Sequence, residues 1–229
     1  MKFRYSMSIL IHLALTAILI LASCSSVRQI RPLAKKEQSV SATLGGPFTR
    51  ELKWLPIPQL SLGYNRGIID SALDIEAGLY ATSAILGIMH VDAGLNWRPW
   101  LNDGALPGLI ITPKVFLLTD FEPQSFRAFP VLCITTCWQV RQFWYIYAGL
   151  ESWFEFHTER TDGNEQKYHW LPAPYIGVDA GKGKWQFALE LRLYTPNIEN
   201  TRRTMHNVGI GDYGAWGVML GVKRTFGKK

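Results

Sequence analysis

Polar and apolar residues alternate strictly in five separate stretches, and no other feature limits the fold as much. Leu73, Ile75, Ala77 and Leu79 alternate with Asp74, Glu76, Gly78 and Tyr80. Met89, Val91, Ala93, Leu95 and Trp97 alternate with His90, Asp92, Gly94, Asn96 and Arg98. The same rhythm runs through 146–155, 187–194 and 216–223. Successive side chains of a strand point to opposite faces, so each stretch reads as a strand with one apolar and one polar side. Weaker strand patterns cover 58–65, 107–118, 127–138 and 170–180, with Pro113, Pro130, Pro172 and Pro174 inside them. Proline removes a ladder donor, so bulges or shorter strands are expected there. Turn clusters separate the strands: Asn65-Arg66-Gly67, Asn102-Asp103-Gly104, Thr161-Asp162-Gly163-Asn164 and Gly181-Lys182-Gly183. The expected fold is all-β: an antiparallel meander closed into a small barrel of eight to ten strands.

Alternation alone does not say which face meets lipid. A soluble barrel turns its apolar face inward, whereas a membrane barrel turns it outward. The two differ at adjacent residues such as Leu189 and Glu190. Three features favour the membrane. Several strands reach the roughly 9–11 residues that a tilted spanning strand needs. The polar face mixes Gly, Tyr and Asn with charges of both signs, at Asp74, Glu76, His90, Asp92, Arg98, Lys114, Glu151, Glu155, Asp179, Glu190, Arg192 and Lys223. Opposite charges can pair in a narrow lumen, and glycine leaves them room. Finally, Trp97 and Trp138 end two strands while Trp144 and Trp185 begin two others, which puts all four at one end, as in an interfacial aromatic belt. The tight connections 66–69, 139–142 and 181–184 fall at that end, and the longer loops 158–168 and 195–207 at the other. Short periplasmic turns and long external loops are the habit of outer-membrane barrels.

The strand count stays open. Nine strands follow from counting 58–65 and 213–226, eight from treating 58–65 as tether, with both termini periplasmic, and ten from adding a strand at 204–211. The ten-strand version places both barrel termini at the long-loop end and Trp216 in the belt.

The N-terminus carries Lys2 and Arg4, then an almost wholly apolar run from Ser6 to Leu21, then Leu21-Ala22-Ser23-Cys24. This run has the length of a signal h-region and is short for a spanning helix. Residues 1–26 resemble the bacterial lipoprotein signal family. That resemblance implies a signal helix over 1–23, cleavage before Cys24, and acylation of Cys24 with membrane lipid as its partner. Ser25 follows the cysteine where an Asp would favour inner-membrane retention, so the resemblance implies a lipid anchor at the cell outer membrane. Residues 24–57 are expected to form a lipidated tether and 58–229 the barrel.

Charge and cysteine usage exclude several classes. The leader carries two cations and no acid, so the net charge falls from +6 to +4. That is too little for a nucleic-acid surface. Cys133 and Cys137 stand four residues apart in a strand-like segment, roughly 13 Å, too far for a mutual disulfide. They read as small packed residues, and no metal cluster is expected. Gly209-Ile210-Gly211-Asp212-Tyr213-Gly214 matches a nucleotide fingerprint, but the next segment alternates as a strand where the fingerprint needs a helix. It reads as a glycine-rich turn, and no cofactor is expected. His90 with Asp92, and Glu151 with Glu155 and His157, share faces that could do acid–base work, yet lumen charge networks give the same pattern. Ser152 lies on the face opposite Glu151. The expected role is therefore non-enzymatic: an outer-membrane lipoprotein with a structural or interaction role in the envelope. Two alternatives stay open, a lipid-tethered soluble barrel binding an apolar ligand and an enzyme acting on lipid or peptide.

Overall fold

A computed structural model describes residues 28–50, 55–120, 126–159, 165–200 and 207–227. Ten strands form: β1 Gln38–Pro47, β2 Gln59–Ile69, β3 Leu73–Tyr80, β4 Ile88–Trp100, β5 Gly108–Asp120, β6 Phe126–Arg141, β7 Trp144–Phe154, β8 Trp170–Ala180, β9 Trp185–Glu199 and β10 Tyr213–Phe226. One short helix, α1 Ala81–Ile85, joins β3 to β4. Every strand pairs antiparallel with its neighbours in sequence, and β1 closes on β10 with Gln38 opposite Phe226 and Pro47 opposite Gly217. Pairing of β1 with β10 removes the two free edge strands an open sheet would have, as a barrel in lipid requires.

The alternation sets which side chain faces where. On β9, Leu189 is 48% exposed and Glu190 is 1% exposed. The outer face carries Leu62, Ile75, Leu95, Ile134, Ile146, Ile176, Phe187 and Leu220, all exposed. The inner face holds the buried polar groups. This is the inverse of a soluble barrel and the arrangement of a transmembrane one. Glycine makes the narrow interior possible. A Cβ on Gly177 would sit 2.4 Å from the Tyr147 ring, and one on Gly149 would sit 2.4 Å from the Tyr175 hydroxyl. Each tyrosine crosses the lumen over a neighbouring strand that has no side chain at that point.

One rim holds the connections 70–72, 101–107, 142–143 and 181–184, together with the first residue of β1 and the last of β10. Trp97, Trp100, Trp144 and Trp185 are about half exposed near this rim, and Arg224 stacks on Trp185 at 5.2 Å. The opposite rim holds, among the described residues, 48–50, 55–58, α1, 155–159, 165–169, 200 and 207–212.

Several expectations are corrected. The described part of the tether, from residue 28 onward, is not a tether. Residues 28–33 lie inside the barrel, 34–37 cross its short-turn rim, and 38–47 form β1. The tenth strand is thus β1, and 204–211 forms none among its described residues, where Asn207, Gly209, Ile210 and Gly211 make only isolated bridges. Both barrel termini consequently sit at the short-turn rim, and Trp216, near the start of β10, sits at the other. The prolines produce no bulges. Pro113 pairs with Leu132 and Pro130 with Val115 in an unbroken register, their rings on the apolar outer face. Pro172 and Pro174 lie where β8 pairs with β7 alone, since its pairing with β9 begins at Tyr175 and Arg192, so an absent donor costs little. Register shifts occur instead at Gly67/Ile69, Trp97/Trp100, Gln139/Arg141 and Tyr213/Ala215. Cys24 and the signal segment lie outside the described residues.

Leu189 faces Leu220 of β10 and Val178 of β8 on the outer surface. Replacing Leu189 with Arg should therefore cost about 2–4 kcal/mol for a residue near the bilayer midplane. Guanidinium titration of the barrel in lipid vesicles measures it, and a change below about 0.5 kcal/mol would place Leu189 in water.

Candidate functional site

The inner face of a closed barrel has room for few side chains and little water, so each charge brought there needs a partner. The strands bring most of the polar face into one network. Glu151 on β7 is its hub. Its carboxylate accepts from Arg28 Nη2 at 2.7 Å, from Arg192 Nη1 at 3.0 Å and from the Trp153 indole at 2.6 Å. Lys114 Nζ stands 3.7 Å away, and the Cys133 thiol points at it from 3.5 Å. Glu190 accepts from Arg192 at 2.5 Å and from the Tyr147 hydroxyl at 3.2 Å. Lys114 also lies 3.8 Å from Glu76, which accepts from Asn96 at 2.9 Å.

The remaining polar residues sort by height. Nearer the short-turn rim are two separate pairs, Arg98 with Asp74 at 2.6 Å and Lys223 with Asp179. Toward the long-loop rim, His90 stacks on Tyr80 at 3.9 Å and Asp92 accepts from the Tyr80 hydroxyl at 2.5 Å. Phe116 stacks on Trp153 at 4.1 Å beside them. Glu155 is not part of the central network. It lies at the long-loop rim with Arg127 at 3.3 Å and His157 at 2.8 Å. Ser152 stays on the other face from Glu151. Cys133 and Cys137 are free and buried, and no group of metal-ligating residues forms among the described residues.

What the sequence did not reveal is the segment 28–37. It enters from the short-turn rim, where Lys36 N–H donates to the Gly67 carbonyl and Gly67 N–H to the Glu37 carbonyl, both at 2.9 Å. These bonds carry the β1–β2 ladder past the strand ends. Further in, the Leu33 carbonyl accepts from Ser71 N–H at 2.9 Å. Ile30 packs with Ile110, Cys137, Tyr147 and Tyr175 in a buried apolar cluster. Arg98 donates to the Gln29 carbonyl at 2.9 Å, and Lys223 to the Arg28 carbonyl at 2.6 Å. The Arg28 guanidinium lies 3.8 Å over the Tyr175 ring and 3.7 Å from Glu190. The space left between Arg28, Glu76, Asn96 and Lys114 is about 10 Å³, room for one water. Spaces of about 140 and 250 Å³ flank Ile30 and Arg31 nearer the rim.

Charge explains why a cation sits there. Asp74, Glu76, Asp92, Glu151, Asp179 and Glu190 face the lumen against Arg98, Lys114, Arg192 and Lys223. The wall's carboxylates thus outnumber its cations, and Arg28 reduces the difference.

No family model matches the chain, and no curated protein does. Among solved structures it is similar to the NanC porin, at 11% identity and a TM-score of 0.44, over 82% of this chain and 98% of that one. It is similar to OmpT, an outer membrane protein of Vibrio cholerae, at 12% identity and a TM-score of 0.36, over 85% of this chain and 62% of that one. Ail, the attachment invasion locus protein of Yersinia pestis, shares 10% identity at a TM-score of 0.28, over 84% of this chain and 99% of that one. The architecture itself, a closed ten-stranded antiparallel barrel, rests on this chain's own strand pairing.

Glu151→Gln keeps the shape and removes the hub charge, leaving Arg28, Arg192 and Lys114 short of a partner. Breaking a buried ion network in this way should cost about 3–5 kcal/mol. The shift in the denaturant midpoint of the folded barrel measures it, and an unchanged midpoint would show that Glu151 carries none of the load.

Proposed function

We propose that this protein is an outer-membrane lipoprotein whose barrel spans the bilayer with its lumen closed, and that it serves the envelope as a structural or interaction element rather than as an enzyme or an open pore. The observation that carries this reading is the filled lumen behind an apolar outer wall: residues 28–33 and the Glu151 network occupy the interior that a pore would leave to water. An even strand number, aromatic residues at the short-turn rim and longer loops at the opposite rim agree with an outer-membrane barrel. On that habit the short-turn rim, with both barrel termini, faces the periplasm. The lipid anchor rests on the Leu21-Ala22-Ser23-Cys24 motif, and two or three acyl chains hold stably where one is marginal. A non-enzymatic role agrees with a network whose acids and bases are engaged with one another. The Glu155–His157 pair at the open rim has Arg127 beside it.

Four measurements test this. The native chain should incorporate labelled palmitate and Cys24→Ala should not, while the Cys24→Ala barrel should stay in carbonate-washed membranes and migrate faster unboiled than boiled. Release by carbonate would return the molecule to a tethered soluble barrel. In planar bilayers the native protein should give no conductance steps, and steady ion flow would refute the closed lumen.

A further inference from the structure

The mid-lumen site around Arg28 has the composition of a receptor for a planar cation. Two carboxylates, Glu151 and Glu190, are at most 1% exposed and approach the guanidinium at 2.7 and 3.7 Å. The Tyr175 ring, itself buried, lies beneath it, its centroid 3.8 Å from the guanidinium carbon. Carboxylates beside the cation and an aromatic face below it favour a planar guanidinium over a compact ammonium. The wall supplies all of this; the segment supplies only the cation. The segment is held in different ways along its length. Backbone bonds tie it to the barrel from Leu33 onward, whereas Arg28 and Gln29 are held by side chains of the wall, through Lys223 and Arg98. Spaces of about 140 and 250 Å³ lie beside Ile30 and Arg31, between the short-turn rim and this level of the lumen.

We infer that the lumen contains a guanidinium-binding site, that Arg28 is its ligand in the closed state, and that a free guanidinium compound reaching it from the short-turn rim takes Arg28's place when residues 28–32 withdraw. The inference goes beyond the closed-barrel reading, since it concerns what the lumen recognises and holds whether or not Cys24 is acylated. Two features follow. The site belongs to the wall and works in trans. The native chain also binds a free ligand more weakly than a chain without Arg28, because its own arginine must leave first.

The test uses the full chain in detergent, native and Arg28→Ala, with ethylguanidinium as probe and ethylammonium as control. Ethylguanidinium at about ten times its dissociation constant should raise the unfolding midpoint of Arg28→Ala by about 3–6 °C. The native chain should need at least about tenfold more for the same shift. Ethylammonium should do less, and Glu151→Gln with Glu190→Gln added to Arg28→Ala should abolish the response. If Arg28→Ala does not fold by itself, the yield of heat-modifiable barrel against ethylguanidinium concentration becomes the readout, and recovery supports the site. Equal responses of native and variant chains, equal responses to the two cations, a response that survives loss of both glutamates, or no recovery of folding would each overturn it.

Discussion

A sheet closed on itself with its apolar side outward leaves its charges one place to go, and the interior of this barrel is organised by that constraint. Glu151 shows how it is met. One carboxylate is shared among Arg28, Arg192 and Lys114, with the Trp153 indole completing its shell. Three cations this close would repel one another strongly without it, and a carboxylate this deeply buried would be costly without them. The side chains come from β5, β7 and β9 and from the N-terminal segment, so the network joins non-adjacent strands across the lumen, which the ladder hydrogen bonds do not. Apolar packing is secondary here. The buried clusters around Tyr147 and Phe116 fill the levels below and above the charges.

The outer shape of the fold was legible because the lipid and lumen faces differ in polarity at every second residue. Runs such as Met89 to Arg98 set large apolar groups against Asp, Asn and Arg, and their observed register keeps that division. β1 escaped notice for the opposite reason. Its inner face is Ser39, Ser41 and Thr43 and its outer face Val40, Ala42 and Leu44, a contrast too small to separate from a small polar linker. Missing it left the strand count open and, in the ten-strand version, moved the barrel's termini to the wrong rim. The prolines misled because a lost donor matters only where a partner strand is waiting for it, and β8 has none on its second side at Pro172 and Pro174.

The lumen residues were legible one by one, but their grouping was not. Alternation places Glu151, Glu155, Glu190 and Arg192 on the inner face without fixing their heights. Pairing registers set those heights across strands, and the end of β7 at Phe154 leaves Glu155 at the rim, where His157 and Arg127 meet it. Arg28 had no signal at all. It sits in a basic stretch without periodicity, and what draws it inward is the excess of carboxylates on the wall, a property of the closed barrel rather than of any local segment.

That excess gives the N-terminal segment a role a tether does not have. A tether is indifferent to the domain it holds, so its sequence can drift without consequence to the fold. Here the chain from Lys36 inward extends a ladder, places Ile30 in an apolar cluster and seats Arg28 among wall charges that are otherwise unbalanced. Cys24 is four residues before Arg28, a span of at most about 14 Å of extended chain. An acyl group proposed on Cys24 therefore begins within that reach of the charged cage. Any pull that draws the anchor farther away must also draw Arg28 from Glu151 and Glu190, so anchoring and lumen closure act on the same short piece of chain.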